Sequence, residues 1–159
     1  MRYTRDTYGE EETRALGRVF AGELPPDAVV AFSGDLGSGK TAVIRGICDT
    51  FRCSEQVSSP TFTIVNEYVG SRSIRHCDLY RLDRIEDMLE IGLDALFRES
   101  GTVLIEWAER ALPLLPLPRY EIAASHGDVE SHRRFSVQLC DADTASILSA
   151  PAELFRRKA

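Results

Sequence analysis

An α/β fold, with a mixed parallel and antiparallel sheet flanked by helices, is what this 159-residue sequence predicts. Three observations carry that expectation. An apolar run at 28–32 leads through a glycine-rich segment into apolar residues at helical spacing, which is a strand, a loop and a helix in order. A second run, Val103-Leu104-Ile105, has the uniform character of a parallel strand buried on both faces. Alternating stretches at 120–124 and 135–139 surround Gly127-Asp128, as the arms of a hairpin surround its turn.

Each element has a local reason. Thr7-Tyr8-Gly9-Glu10 reads as a capping box, after which Leu16, Val19 and Phe20 share a helical face until Leu24-Pro25-Pro26 stops the helix. Ala28 to Phe32 is the first strand, and Lys40 to Phe51, with Val43, Ile44 and Ile47 at helical spacing, is the next helix. A polar loop holding Ser58-Ser59-Pro60 precedes an alternating strand from Thr61 to Tyr68, and Gly70-Ser71 turns the chain into a strand from Ser73 to Asp78. Asp83 to Phe97 places Ile85, Met88, Leu89, Leu93 and Leu96 near helical spacing, with Gly92 as a point of division. The strand at 103–105 ends at Glu106-Trp107, and Pro113, Pro116 and Pro118 make an irregular connector to the hairpin. From about Thr144 a terminal helix is expected, its basic end Arg156-Arg157-Lys158 suited to the helix dipole. No internal repeat is present, and residues 1–159 read as a single domain.

The loop at 34–41, Gly-Asp-Leu-Gly-Ser-Gly-Lys-Thr, is a complete G-x-x-x-x-G-K-[ST] pattern in its proper context, after a strand and before a helix. It makes the expected fold P-loop NTPase-like. Glycines at these positions let the amides of Leu36, Gly37, Ser38 and Gly39 converge on phosphate oxygens, with the helix N-terminus adding its dipole. Lys40 is placed to meet the β- and γ-phosphates, and Thr41 to offer a hydroxyl to Mg²⁺. Lys40 and Lys158 are the only lysines among 19 basic residues, so a chain that otherwise uses arginine keeps the compact ammonium at this point.

Phosphoryl transfer also needs an acidic group beside the metal and something to orient the attacking oxygen. Glu106, just after an apolar run, stands where a parallel sheet presents residues to its ligand crevice, and Asp78 ends another strand with His76 on its face. The hydroxyls of Ser58-Ser59-Pro60-Thr61 lie where nucleotide switches place a γ-phosphate sensor. Asn66 is the one asparagine and Glu67 follows it, so the N-K-x-D guanine signature is absent and the base expected is adenine, in ATP.

Bulk properties narrow the setting. With 43% hydrophobic and 28% charged residues the chain has a globular composition. No run approaches the roughly 20 apolar residues of a membrane span, and Met1 to Asp6 lack a signal-peptide core, so the expected location is cytoplasmic. The four cysteines form no C-x-x-C pair and are expected as reduced thiols. A net charge of −6 disfavours a free-standing nucleic-acid clamp, so any nucleic acid would be held by a partner.

Four segments in order, GDLGSGKT at 34–41, SPTF at 59–62, HCDLYRL at 76–82 and IEW at 105–107, resemble the TsaE (YjeE) ATPase family of bacterial tRNA threonylcarbamoyladenosine synthesis. The resemblance runs from about Tyr8 to the end of the hairpin. It implies an Mg²⁺-dependent ATPase that joins TsaB and TsaD, which modify adenosine 37 of tRNA, so that tRNA is met only through the complex. It further implies that Lys40, Asp78 and Glu106 are catalytic, that Thr41 and Glu106 hold the metal, and that Ser59 to Phe62 and Asp78 to Arg81 are two switches. Thr61, Trp107 and the opening of the first helix, Glu10 to Thr13, would lie beside the nucleotide. Cys77 stands where the family usually has Phe. Two other readings share the loop: a small-metabolite kinase, with an arginine-rich lid around Arg72, Arg75, Arg81 and Arg84, and a nucleotide-gated binding module whose hydrolysis is incidental.

Overall fold

The computed structural model describes residues 3–53 and 55–141. The terminal helix expected from Thr144 lies outside the described residues. Seven strands form one sheet in the order β1-β7-β6-β2-β5-β4-β3, where β1 is Tyr3–Tyr8, β2 Val29–Ser33, β3 Val65–Val69, β4 Ser73–Asp78, β5 Thr102–Glu106, β6 Arg119–His126 and β7 His132–Cys140. The central four, β6-β2-β5-β4, run parallel, and β1, β7 and β3 pair antiparallel at the two sides. The mixed sheet expected from the sequence is therefore the one observed.

Of the central strands, β2 and β5 are buried on both faces, which is why they read as continuous apolar runs. Along β2, Val30 and Phe32 face a core shared with Phe20, Val43, Ile44 and Ile47, while Val29 and Ala31 face a second core with Leu79, Met88, Leu93 and Ile105. Helices α1 (Glu10–Ala21) and α2 (Lys40–Thr50) cover the first face. The short helices α3 (Ile85–Glu90) and α4 (Leu93–Leu96), divided at Gly92 as its backbone φ of 76° allows, contribute to the second. Cys77 lies fully buried in that second core, and burial pushes its thiol up to about 12.

Helices α1 and α2 approach unusually closely. A Cβ on Gly46 would lie 2.0 Å from the Arg14 carbonyl oxygen, and one on Gly17 would lie 2.1 Å from that of Val43. Only hydrogen at both positions permits this crossing, which Arg14 then ties from outside through two bonds to Asp49, at 2.7 and 2.8 Å. That pairing holds the Asp49 carboxyl below its ordinary value.

Three expectations need correction. The capping box at Thr7 is absent: Thr7 belongs to β1, its hydroxyl is bonded to that of Thr13 at 2.7 Å, and Gly9 caps α1 without a side chain. Glu12, one turn in, instead accepts the Tyr8 amide at 2.8 Å. Strand β1 itself was not expected, because Thr4-Arg5-Asp6 carries no apolar alternation. The strand expected from Thr61 begins only at Val65, since Ile64 takes a positive φ of 66° and its amide turns back to the Pro60 carbonyl.

Candidate functional site

The carboxyl ends of β2, β5 and β4 open into one cavity of about 890 Å³ beside the N-terminus of α2. The loop at 34–41 forms its floor. Gly34, Gly37 and Gly39 all have positive φ (124°, 73° and 97°), conformations that a side chain would strain. At Gly39 a Cβ would also come within 3.0 Å of Phe135, so the loop is packed down on β7. Two side chains from the hairpin fasten it: the Arg133 Nε donates to the Gly37 carbonyl at 2.9 Å, and the His126 Nε2 is 3.0 Å from the Leu36 carbonyl oxygen.

Lys40 is 4% exposed, and its ammonium donates to the carbonyls of Gly34 (2.6 Å) and Asp35 (2.8 Å) while lying 4.4 Å from the centre of the Trp107 ring. Burial pushes its pKa down, opposed chiefly by the charge of Glu106. With the Ser38 hydroxyl at 3.5 Å as its other partner, the ammonium has no carboxylate bonded to it among the described residues, which suits it to an anionic ligand.

Across the cavity, the Thr41 hydroxyl donates to Glu106 Oε1 at 2.8 Å. The same oxygen lies 2.9 Å from Nε2 of the fully buried His76. The two side chains come from α2 and from the end of β5, brought together because β2 and β5 are sheet neighbours. A hydroxyl and a carboxylate oxygen are the hard donors that suit Mg²⁺. Asp78, at the end of β4, accepts from the Tyr80 amide (2.9 Å) through one oxygen and from the hydroxyls of Ser59 and Thr61 (3.0 Å for Thr61) through the other. Asp78 thus draws in the 59–61 loop.

The residues singled out from sequence converge on this one cavity: Glu10, Leu36, Gly37, Ser38, Gly39, Lys40, Thr41, Thr61, Asp78, Glu106 and Trp107 all line it. Trp107 adopts a left-handed backbone (φ 58°) and packs on Tyr80 with ring centres 5.0 Å apart. Tyr80, inside the expected 78–81 switch, lines it too, whereas sequence reasoning missed Arg45 and the hairpin residues Val129, Glu130, Ser131 and Arg133. Val129 to Arg133 follow the expected turn, but no local pattern signals that a hairpin folds back onto a loop ninety-odd residues earlier.

Comparison with known proteins agrees with this fold. The profile of the family described as "Threonylcarbamoyl adenosine biosynthesis protein TsaE" matches residues 7–135. Among individual relatives, a protein named tRNA threonylcarbamoyladenosine biosynthesis protein TsaE from Rickettsia bellii is 43% identical over 116 residues, covering 71% of this chain and 79% of its own. One of the same name from Bacillus subtilis is 36% identical over 132 residues, 82% of each chain. The crystal structure of YdiB from Bacillus subtilis superposes with a TM-score of 0.79 at 28% identity, covering 98% of this chain and 95% of that one. The fold is that of a P-loop NTPase, and with four-fifths of its length matched this chain belongs to the TsaE family of threonylcarbamoyladenosine biosynthesis.

Proposed function

We propose that this chain binds and hydrolyses ATP with Mg²⁺, slowly by itself and faster when docked on TsaB and TsaD, and that the nucleotide cycle resets the complex that modifies adenosine 37 of tRNA. The observation that supports it most is the meeting of the 34–41 loop, the Thr41–Glu106 pair and Asp78 around one cavity. Loop amides and Lys40 would hold the phosphates, and Glu10, Thr61 and Trp107 would lie beside the nucleotide. Mg²⁺ held by Thr41 and Glu106 would neutralise charge on the phosphate oxygens. Asp78 would orient the attacking water, once the 59–61 hydroxyls that now occupy its Oδ2 are rearranged.

Slow hydrolysis alone follows from the arginines. Arg45 and Arg133 line the cavity, yet Arg45 is tied to Glu10 and the Val57 carbonyl, and Arg133 to the carbonyls of Gly37, Glu130 and His132. Neither guanidinium is free to neutralise charge developing on a transferred phosphoryl group, a contribution an arginine supplied by a partner makes in related enzymes. The kinase reading loses its lid: Arg75 is buried against Glu99, Arg72 holds the Leu24 and Pro25 carbonyls, and none of Arg72, Arg75, Arg81 or Arg84 lines the cavity.

The test is phosphate release from ATP in water, with no small acceptor, by the chain alone and with TsaB and TsaD, alongside a pull-down of those proteins in ATP, ADP and no nucleotide. Slow release alone, acceleration by the partners and nucleotide-dependent capture are expected. Full-rate hydrolysis without partners would overturn the switching account. If Glu106→Ala abolished turnover yet left capture and cellular tRNA modification intact, the nucleotide-gated binding module would replace it.

A further inference from the structure

Resting on the Mg-nucleotide reading above, we propose that His76 is a positioning residue that sets the Glu106 carboxylate for the metal. His76 lies on β4 with no exposed surface, one strand away from the end of β5 that bears Glu106. Its Nε2 is 2.9 Å from Glu106 Oε1, while its Nδ1 is buried and has no hydrogen-bond partner among the described residues. The carboxylate can only accept, so Nε2 carries a proton and donates it, while Nδ1 is left without a partner.

Glu106 Oε1 therefore receives two donors from two elements, the Thr41 hydroxyl on α2 at 2.8 Å and the His76 ring on β4 at 2.9 Å. Among the described residues no hydrogen bond engages Oε2, and Glu106 lines the cavity. Holding one oxygen from two sides fixes the plane of the carboxylate and leaves the other oxygen for the ligand, which is what outer-shell partners of metal-binding carboxylates do.

Packing alone does not account for a histidine here. The ring faces Tyr68 at 6.2 Å between centres, within the same face of the sheet as Ile74 and Leu104, where an apolar side chain would leave no orphaned nitrogen. Among the described residues, the one hydrogen bond the ring makes goes to Glu106.

The test measures ADP affinity by calorimetry on the full chain, in EDTA and across a Mg²⁺ titration, for wild type, His76→Leu, His76→Gln, His76→Asn and Glu106→Gln. His76→Leu is expected to leave metal-free ADP affinity within about twofold of wild type and to raise the Mg²⁺ concentration needed for half-maximal effect about tenfold or more. Glutamine can place its amide near Nε2 and asparagine cannot, so His76→Gln retains most of the Mg²⁺ response and His76→Asn loses it. In a Glu106→Gln background, His76→Leu should add nothing further. Equal weakening with and without Mg²⁺, an undiminished effect in the Glu106→Gln background, or no effect at all would overturn the proposal. Should His76→Leu fail to fold by thermal melting, the contrast between glutamine and asparagine decides it. A wild type indifferent to Mg²⁺ would remove the metal reading itself, whereas a responsive wild type matched by the variants would remove only the role of His76.

Discussion

Thr41 and Glu106, 65 residues apart in the chain, share a 2.8 Å hydrogen bond across the cavity between α2 and β5. Removing the hydroxyl with Thr41→Ala leaves Glu106 paired with His76, so the fold should lose only about 1–2 kcal/mol in a denaturant titration. Partner-stimulated ATP hydrolysis should fall by at least about tenfold, and Thr41→Ser, which keeps the oxygen, should restore most of it.

Gly46 tests the helix crossing. Alanine raises helix propensity by about 1 kcal/mol. Its Cβ, however, would sit 2.0 Å from the Arg14 carbonyl oxygen, and backbone cannot rotate out of the way. The clash should win, with a net destabilisation of about 1–3 kcal/mol by thermal or chemical unfolding.

Asp49 tests the ion pair outside that crossing. Its folded pKa is depressed, mainly by the hydrogen bonds from Arg14, so its contribution is fully present above the unfolded carboxylate value of about 3.9 and is lost as pH falls through the lower folded value. Asp49→Asn should cost about 1 kcal/mol at pH 7, and the gap between wild type and variant should close as unfolding is measured from pH 5 down toward pH 2.

Phe62 tests the switch role proposed for residues 59–62. Phe62 is 83% exposed, and the Arg81 guanidinium lies over its ring, 4.2 Å from the ring centre. Phe62→Ala should leave the melting temperature within about 2 °C, because little apolar area is buried there. It should reduce stimulation of ATP hydrolysis by TsaB and TsaD without altering ADP affinity of the chain alone, a difference that calorimetry and phosphate release read separately.

What the sequence made legible was whatever one stretch of chain decides locally. The 34–41 loop spells its own conformation through glycines at positive φ, and β2 and β5 declare themselves as apolar runs buried on both faces. Strand β1 was hidden because its ladder to β7, the hydrogen bond from Arg134 to Asp6 and the approach of His132 Nε2 to 3.1 Å from Asp6 Oδ1 hold it in place of apolar alternation. The start of β3 was misplaced because Phe62 and Ile64 mimic alternation, while the chain there turns so that the Thr61 hydroxyl reaches Asp78. Arg133 on the Gly37 carbonyl depends on sheet order and hairpin reach, 96 residues away in sequence, and no spacing rule encodes it.

Lys40 offers the most direct test of all. Its ammonium bonds to carbonyls of its own loop and faces the cavity, so Lys40→Ala should leave the fold intact while removing a charge-assisted contact to phosphate of about 1.5–3 kcal/mol. Calorimetric titration with Mg-ATP should therefore give saturable one-site binding by the wild type and binding weaker by about 10- to 100-fold in the variant. Absence of binding by the wild type, or equal affinity in the two proteins, would contradict the account.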